Sequence, residues 1–180
     1  MSLMSPRSLR RLRVLVIGAV TIAAGSAIAA ADSTMPHVRS SHAYIRAMID
    51  EATERSPSFR RLVDAIDAID GIVYVEHGSC AHSLKACLTM SISSAAQYRI
   101  LHVLVDARQP DWEVMAAIGH ELQHALEVLR NATLKTTAAI YLFYSREAPT
   151  TNEAFETAAA VAAGNAVRQE VGSFARRKWK

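Results

Sequence analysis

The segment from Trp112 to about Arg130 repeats apolar residues at helical spacing, yet His120, Glu121 and His124 sit inside it. Positions 114–119 carry no charge, and Leu122, Gln123, Ala125 and Leu126 around the two histidines are uncharged as well. A helix that is apolar over most of its circumference belongs in the interior. A carboxylate and two imidazoles carried there are costly unless something meets them. Whatever this chain folds into must wrap the helix on several sides and supply partners for its polar groups.

The chain has 180 residues, 51% of them hydrophobic, which is material for one domain with a real core. Seven Gly and five Pro exclude collagen-like and low-complexity classes. Residues 1–31 hold Arg7, Arg10, Arg11 and Arg13 and no acidic residue; an apolar run from Val14 to about Ile28 follows, and Ala29-Ala30-Ala31 precede Asp32. A basic start, an apolar middle and a small-residue end are the layout of a secretory signal peptide. The alternative is a retained anchor, since roughly 17–18 apolar or small residues approach a spanning length. The Ala- and Gly-rich composition and the A-x-A site favour cleavage. Arg13 stands where a twin-arginine signal wants an apolar residue, so ordinary export is expected.

Removing that segment changes the charge argument. It takes four of the 20 Lys+Arg and none of the 17 Asp+Glu, so the formal charge falls from +3 to −1. A nucleic-acid partner loses its support. The cluster Arg176-Arg177-Lys178 and Lys180 reads as a solvated tail at a helix end. The expectation is a single domain over 32–180 in the periplasm of a bacterium or outside the cell.

Along 32–180 the residues 32–41 read as a loose leader. Helices are expected over Ala43–Arg55 and Pro57–Ile69, and a strand over Ile72–Glu76. Leu88–Ile92 is a weaker strand and Tyr98–Asp106 a stronger one. Asp111 is placed to cap the helix that follows Pro110. Helical segments near Thr133–Ser145 and Asn152–Glu170 close the chain. Helices, a small sheet, then helices point to an α+β fold.

His120 and His124 are four positions apart, so both imidazoles leave one helix face and can share a metal. Glu121, beside the first histidine, can reach a metal-bound water rather than the metal. Two neutral imidazoles holding Zn²⁺, with the carboxylate as general base, is the division of labour this pattern suits. On Ile118-Gly119-His120-Glu121-Leu122-Gln123-His124-Ala125-Leu126 the chain resembles the zincin (HExxH) zinc metallopeptidases. Glu127 and Arg130 stand where a metzincin continuation has Gly and His, which excludes that class. Glu127 also lies roughly 10 Å along the helix from His120, too far to complete the site.

A catalytic zinc site usually takes three protein ligands and leaves one position open. The third is expected from the last helical segment, Asn152-Glu153-Ala154-Phe155-Glu156-Thr157-Ala158-Ala159-Ala160. A glutamate there implies a gluzincin-like protein. Glu156 is preferred, because Ala159, Ala160, Ala163 and Val167 would give its helix a small-residue face. Glu153 is the alternative; it resembles the start of a thermolysin-type Asn-Glu-Ala motif, although Thr157 replaces the Asp expected four residues on. The run Phe155-Glu156-Thr157 with Ala159-Ala160 also resembles small secreted bacterial proteins of unassigned activity.

Cys80 and Cys87 enclose six residues and, in an exported protein, read as one short disulfide. His102 reads as a packed or rim histidine, and Tyr141 and Tyr144 as core residues before oxyanion donors. Two functions remain open. The first is a small exported zinc-dependent hydrolase, a metallopeptidase with zinc on His120, His124 and Glu156, Glu121 as base, and an extended peptide or protein substrate beside Tyr98–Asp106. The second is a non-catalytic periplasmic zinc-binding protein that keeps the scaffold, its site closed by a fourth ligand such as Glu153 or His102.

Overall fold

The alternation in Tyr98–Val105 makes this strand, β4, the centre of a sheet. In the computed structural model, which describes residues 35–147, 150–151 and 154–177, its Arg99, Leu101, Val103 and Val105 are buried on one face. Tyr98, Ile100, His102 and Leu104 are half-buried on the other. The expected signal segment 1–31 and the alternative ligand Glu153 lie outside the described residues. Strand β2 (Gly71–His77) pairs with β4 in parallel, Val73 opposite Leu101, and β3 (Ala86–Ala95) pairs with it antiparallel. A short β1 (Val38–Arg39) adds in parallel to β2, giving the order β1-β2-β4-β3. Residues 38–39 were expected in a loose leader. Two residues show no periodicity; their strand exists because Val38 is buried opposite Val73 and Val73 N–H donates to His37 C=O.

Five helices accompany this sheet among the described residues: α1 (Ala43–Arg55), α2 (Pro57–Asp67), α3 (Asp111–Arg130), α4 (Thr137–Glu147) and α5 (Ala158–Arg177). The fold is α+β. Pro57 takes the first helical position of α2, and Ser56 Oγ accepts from Phe59 N–H at 3.0 Å. No described helix is long and apolar enough to cross a membrane. Two-residue strands β5 (Thr150–Thr151) and β6 (Ala154–Phe155) form a small hairpin between α4 and α5.

Three helix starts differ from expectation, and in each a polar side chain finds a partner other than the one its sequence position suggests. Asp111 does not cap α3; its Oδ1 accepts from Tyr44 O–H at 2.8 Å instead. Asn131 Oδ1 accepts from both Thr133 N–H and Oγ1–H, holding a turn there, so α4 starts only at Thr137. Helix α5 starts at Ala158, not Asn152, because Thr157 Oγ1 accepts from Ala160 N–H at 3.1 Å. Glu156 therefore stands two residues before the last helix rather than on it.

Helix α3 is the hub. It packs on β2, β3 and β4 and against α1, α2 and α5, with Val114, Ile118, Leu122, Ala125 and Val128 fully buried. At its crossing with α5 the backbones come close: a Cβ on Gly119 would lie 2.8 Å from Val167 Cγ2, and one on Gly164 3.1 Å from His120 Cβ. The other end of α3 is closed by Arg99, buried at the start of β4. Its guanidinium donates to the carbonyls of Leu129 and Asn131 and to Asp70 Oδ1. A cation thus satisfies carbonyls that a helix end leaves unpaired, at the negative end of its dipole.

Replacing Arg99 by Met should cost about 2–3 kcal/mol, the loss of charge-assisted bonds to a helix end. Urea unfolding should show this as a lower midpoint with unchanged slope. Glu170 is a second tie, accepting from Ser58 N–H and from the hydroxyls of Ser56 and Ser58 at the start of α2. Burial raises its carboxyl pKa, and those hydrogen bonds more than reverse the effect, so it lies below the ordinary glutamate value. Its stabilisation is therefore complete above the unfolded pKa of about 4.3 and lost as pH falls through the lower folded value. Glu170→Gln should flatten that acid limb of the stability–pH curve.

Candidate metal centre

The periodicity of α3 turns His120, Glu121 and His124 toward the end of the sheet where β3 and the β6–α5 connection meet. One ligand atom each of His120, His124 and Glu156 lies within 4.8 Å of the others. His120 Nε2 is 3.4 Å from Glu156 Oε2 and 4.0 Å from Glu121 Oε1. The three residues expected as ligands are brought together, and they could hold a metal ion. The donor set fits one: two imidazoles and a carboxylate bring one ligand atom each to the same point, the residue types and number that hold a zinc ion.

The second nitrogen of His124 is engaged. His124 Nδ1 is 3.2 Å from Glu127 Oε2, which leaves Nε2 for the centre. His120 packs on Gly164. Glu127, too far along the helix from His120 to complete the site, has a different place in the structure. Its Oε1 accepts from Thr157 Oγ1 at 2.9 Å and Gln123 Nε2 at 3.2 Å, and its Oε2 lies 3.4 Å from the Tyr144 hydroxyl oxygen. One carboxylate thus orients a histidine and anchors the residue next to Glu156. The signal was present as i,i+3 and i,i+4 spacing to His124 and Gln123, but the bond from Thr157 crosses 30 positions of sequence.

Burial sets the charge states. It holds the His120 imidazole down to about 4, helped by His124, so the ring is neutral and able to ligate at neutral pH. Burial pushes the Glu121 carboxyl up to about 7, against the pull of His124 and of a hydrogen bond from Leu88 N–H. Glu127 goes the other way: burial would raise it, and the donors from His124, Thr157 and Gln123 carry it below the usual carboxylate range.

A cleft of about 380 Å³ opens over the centre, walled by Leu88, Met90, Tyr141, Phe155 and the Cys80–Cys87 loop. The disulfide is formed, and the loop it closes holds His82 and Ser83 in left-handed backbone conformations (φ 54° and 55°). Strand β4 was expected beside the cleft. It is paired on both sides, and the edge strand there is β3, whose Leu88 N–H reaches Glu121 Oε2 at 2.7 Å. Between Leu88 and Ile92 its register against β4 slips, which bulges Met90 into the cleft wall.

Other candidates separate from the centre. His102 lies on the sheet face away from α3, stacked on Tyr74 and 3.3 Å from Glu76. Tyr144 is buried with its hydroxyl donating to His124 C=O at 2.9 Å, a supporting role. Tyr141 is exposed on the cleft and packs edge-on against Phe155. Compared with protein-family models, with curated proteins and with solved structures, the chain gives no match.

Glu127→Gln should weaken binding of Zn²⁺, used as a probe ion, by about 10–100-fold, the usual cost of losing a partner that orients a ligating histidine. Competition against a chromophoric chelator measures it. An unchanged affinity would show that His124 is oriented by packing alone.

Proposed function

We propose that this protein is an exported zinc-dependent hydrolase of the zincin type, a gluzincin-like metallopeptidase that holds Zn²⁺ on His120, His124 and Glu156. The observation that carries the reading is the convergence of those three ligand atoms beside a buried glutamate that is not one of them. Bound to such a set, zinc supplies Lewis acidity and lowers the pKa of a coordinated water toward 7. The remaining work falls to the chain. Glu121, 7% exposed, receives a proton on the oxygen nearer His120 while Leu88 N–H holds the other oxygen still. The burial that raises its pKa matches a group that takes and returns protons near neutral pH.

The substrate proposed is an extended peptide or protein segment. Among the described residues β3 is the edge strand on the cleft; its Leu88 N–H is taken by Glu121, and main-chain pairing with its other outward groups positions a peptide without requiring a particular sequence. Helix α4, which packs against β3, and the β5–β6 hairpin line the cleft with the rings of Tyr141, Tyr144 and Phe155. Export is proposed from the composition of residues 1–31, and the Cys80–Cys87 disulfide fits an oxidising compartment.

The test is a pair of measurements on purified protein. Near-stoichiometric zinc is expected in the wild type and in Glu121→Gln, together with peptide hydrolysis in the wild type and a loss of at least about 100-fold in the variant. Zinc retained with no hydrolysis by either protein would favour the non-catalytic zinc-binding alternative. N-terminal sequencing of exported protein should begin near Ala30–Asp32; intact residues 1–31 would favour an anchor.

A further inference from the structure

The cleft over the metal centre continues past it. Leu84, Ala86, His120, Glu121 and Glu156 also border a second space of about 330 Å³, and its far wall is different in kind. Where the first space has Met90, Tyr141 and Phe155, the second has Lys85, Asn165 and Arg168. Arg168 Nε and Nη2 donate to the two oxygens of Glu113 at 3.2 Å each, and Lys85 Nζ donates to Glu113 Oε2 at 3.1 Å. Two cations thus share one buried carboxylate, leaving a net positive charge. Asn165 Oδ1 steadies Arg168 by accepting from Nη1 at 2.9 Å. The lysine and arginine side chains remain 52% and 40% exposed, toward water and the cleft. Arg168 lies one turn along α5 from Gly164, the residue on which His120 packs, about 6 Å by helical rise.

Strand β3 supplies a direction. It starts at Ala86, beside Lys85, and runs toward Met90. A peptide adding antiparallel, the somewhat stronger pairing, runs the other way. Its N-terminal part then lies over Met90 and the aromatic wall, and its C-terminal part passes Ala86 toward Lys85 and Arg168. We propose that this site selects peptides with an apolar residue on the N-terminal side of the metal centre and a carboxylate on the C-terminal side, recognised by Lys85 and Arg168. The carboxylate is either an Asp or Glu side chain or the peptide's own terminus. The proposal rests on the metallopeptidase reading above.

Binding, rather than turnover, tests it. The zinc-loaded Glu121→Gln protein is titrated with fluorescent acetyl-Ala-Phe-Glu-Ala-amide, its Gln-for-Glu counterpart, and acetyl-Ala-Phe-Ala with a free or an amidated C-terminus. The carboxylate-bearing member of at least one pair should bind about 10-fold tighter, the scale of one added charge-assisted contact. The margin should shrink with salt, and Arg168→Gln should bring it close to one. Lys85→Gln carries the same comparison if the arginine variant does not fold. Whichever pair shows the preference identifies the source of the carboxylate. Equal binding within both pairs overturns the proposal and leaves the peptidase reading standing, as does tighter binding of acetyl-Ala-Glu-Phe-Ala-amide. No binding of any peptide by zinc-loaded protein overturns both.

Discussion

Helix α3 is buried on most sides, and the polar groups it carries draw partners from several other elements as well as from its own turns. Glu113 is met by Lys85 next to β3 and Arg168 on α5. Glu121 is met by the backbone of β3, and His124 by Glu127, itself held from Thr157 at the start of α5. The last carbonyls of the helix are met by Arg99 from β4. Unpaired, each of these groups would cost about 1–3 kcal/mol or more in the interior. The helix therefore dictates where its neighbours go, and the candidate centre is the place where most of those demands coincide.

Close approach is the second condition. With Gly119 and Gly164 at the α3–α5 crossing, the two backbones come near enough for His120 to pack directly on the later helix. Thr157 then ends the helix early, and Glu156, released from helical geometry, turns its carboxylate toward the imidazoles. A Glu156 on a regular helix would point wherever the helix phase sent it. The same threonine that caps α5 also donates to Glu127, so capping and the positioning of the third candidate ligand are one arrangement.

The same burial that makes the helix demanding tunes its chemistry. Loss of water disfavours charge on His120 and on Glu121 alike. The first is thereby left neutral, with a lone pair to give, and the second is left basic enough to take a proton. Glu127, a few residues along, keeps its charge because three donors replace the water it lost. Three ionisable groups within eight positions of one helix thus hold three different states, and the difference lies in their neighbours.

Much of this was legible in the chain. The core helix, its His-Glu-x-x-His face, the helices at Ala43 and Pro57, strand Tyr98–Val105 and the pairing of Cys80 with Cys87 follow from periodicity, capping and composition, which are local properties. The α+β class follows from their order. What the tertiary structure alone decided were the relations between distant segments. Val38–Arg39 became a strand, β3 became the cleft edge in place of β4, Glu156 left its helix, Glu127 became the brace of the site, and Arg99 closed a helix across the sheet. None of these leaves a repeating pattern, because each depends on one donor meeting one acceptor far away in sequence. Periodicity reports which face of an element is buried, and only packing determines what that face is buried against.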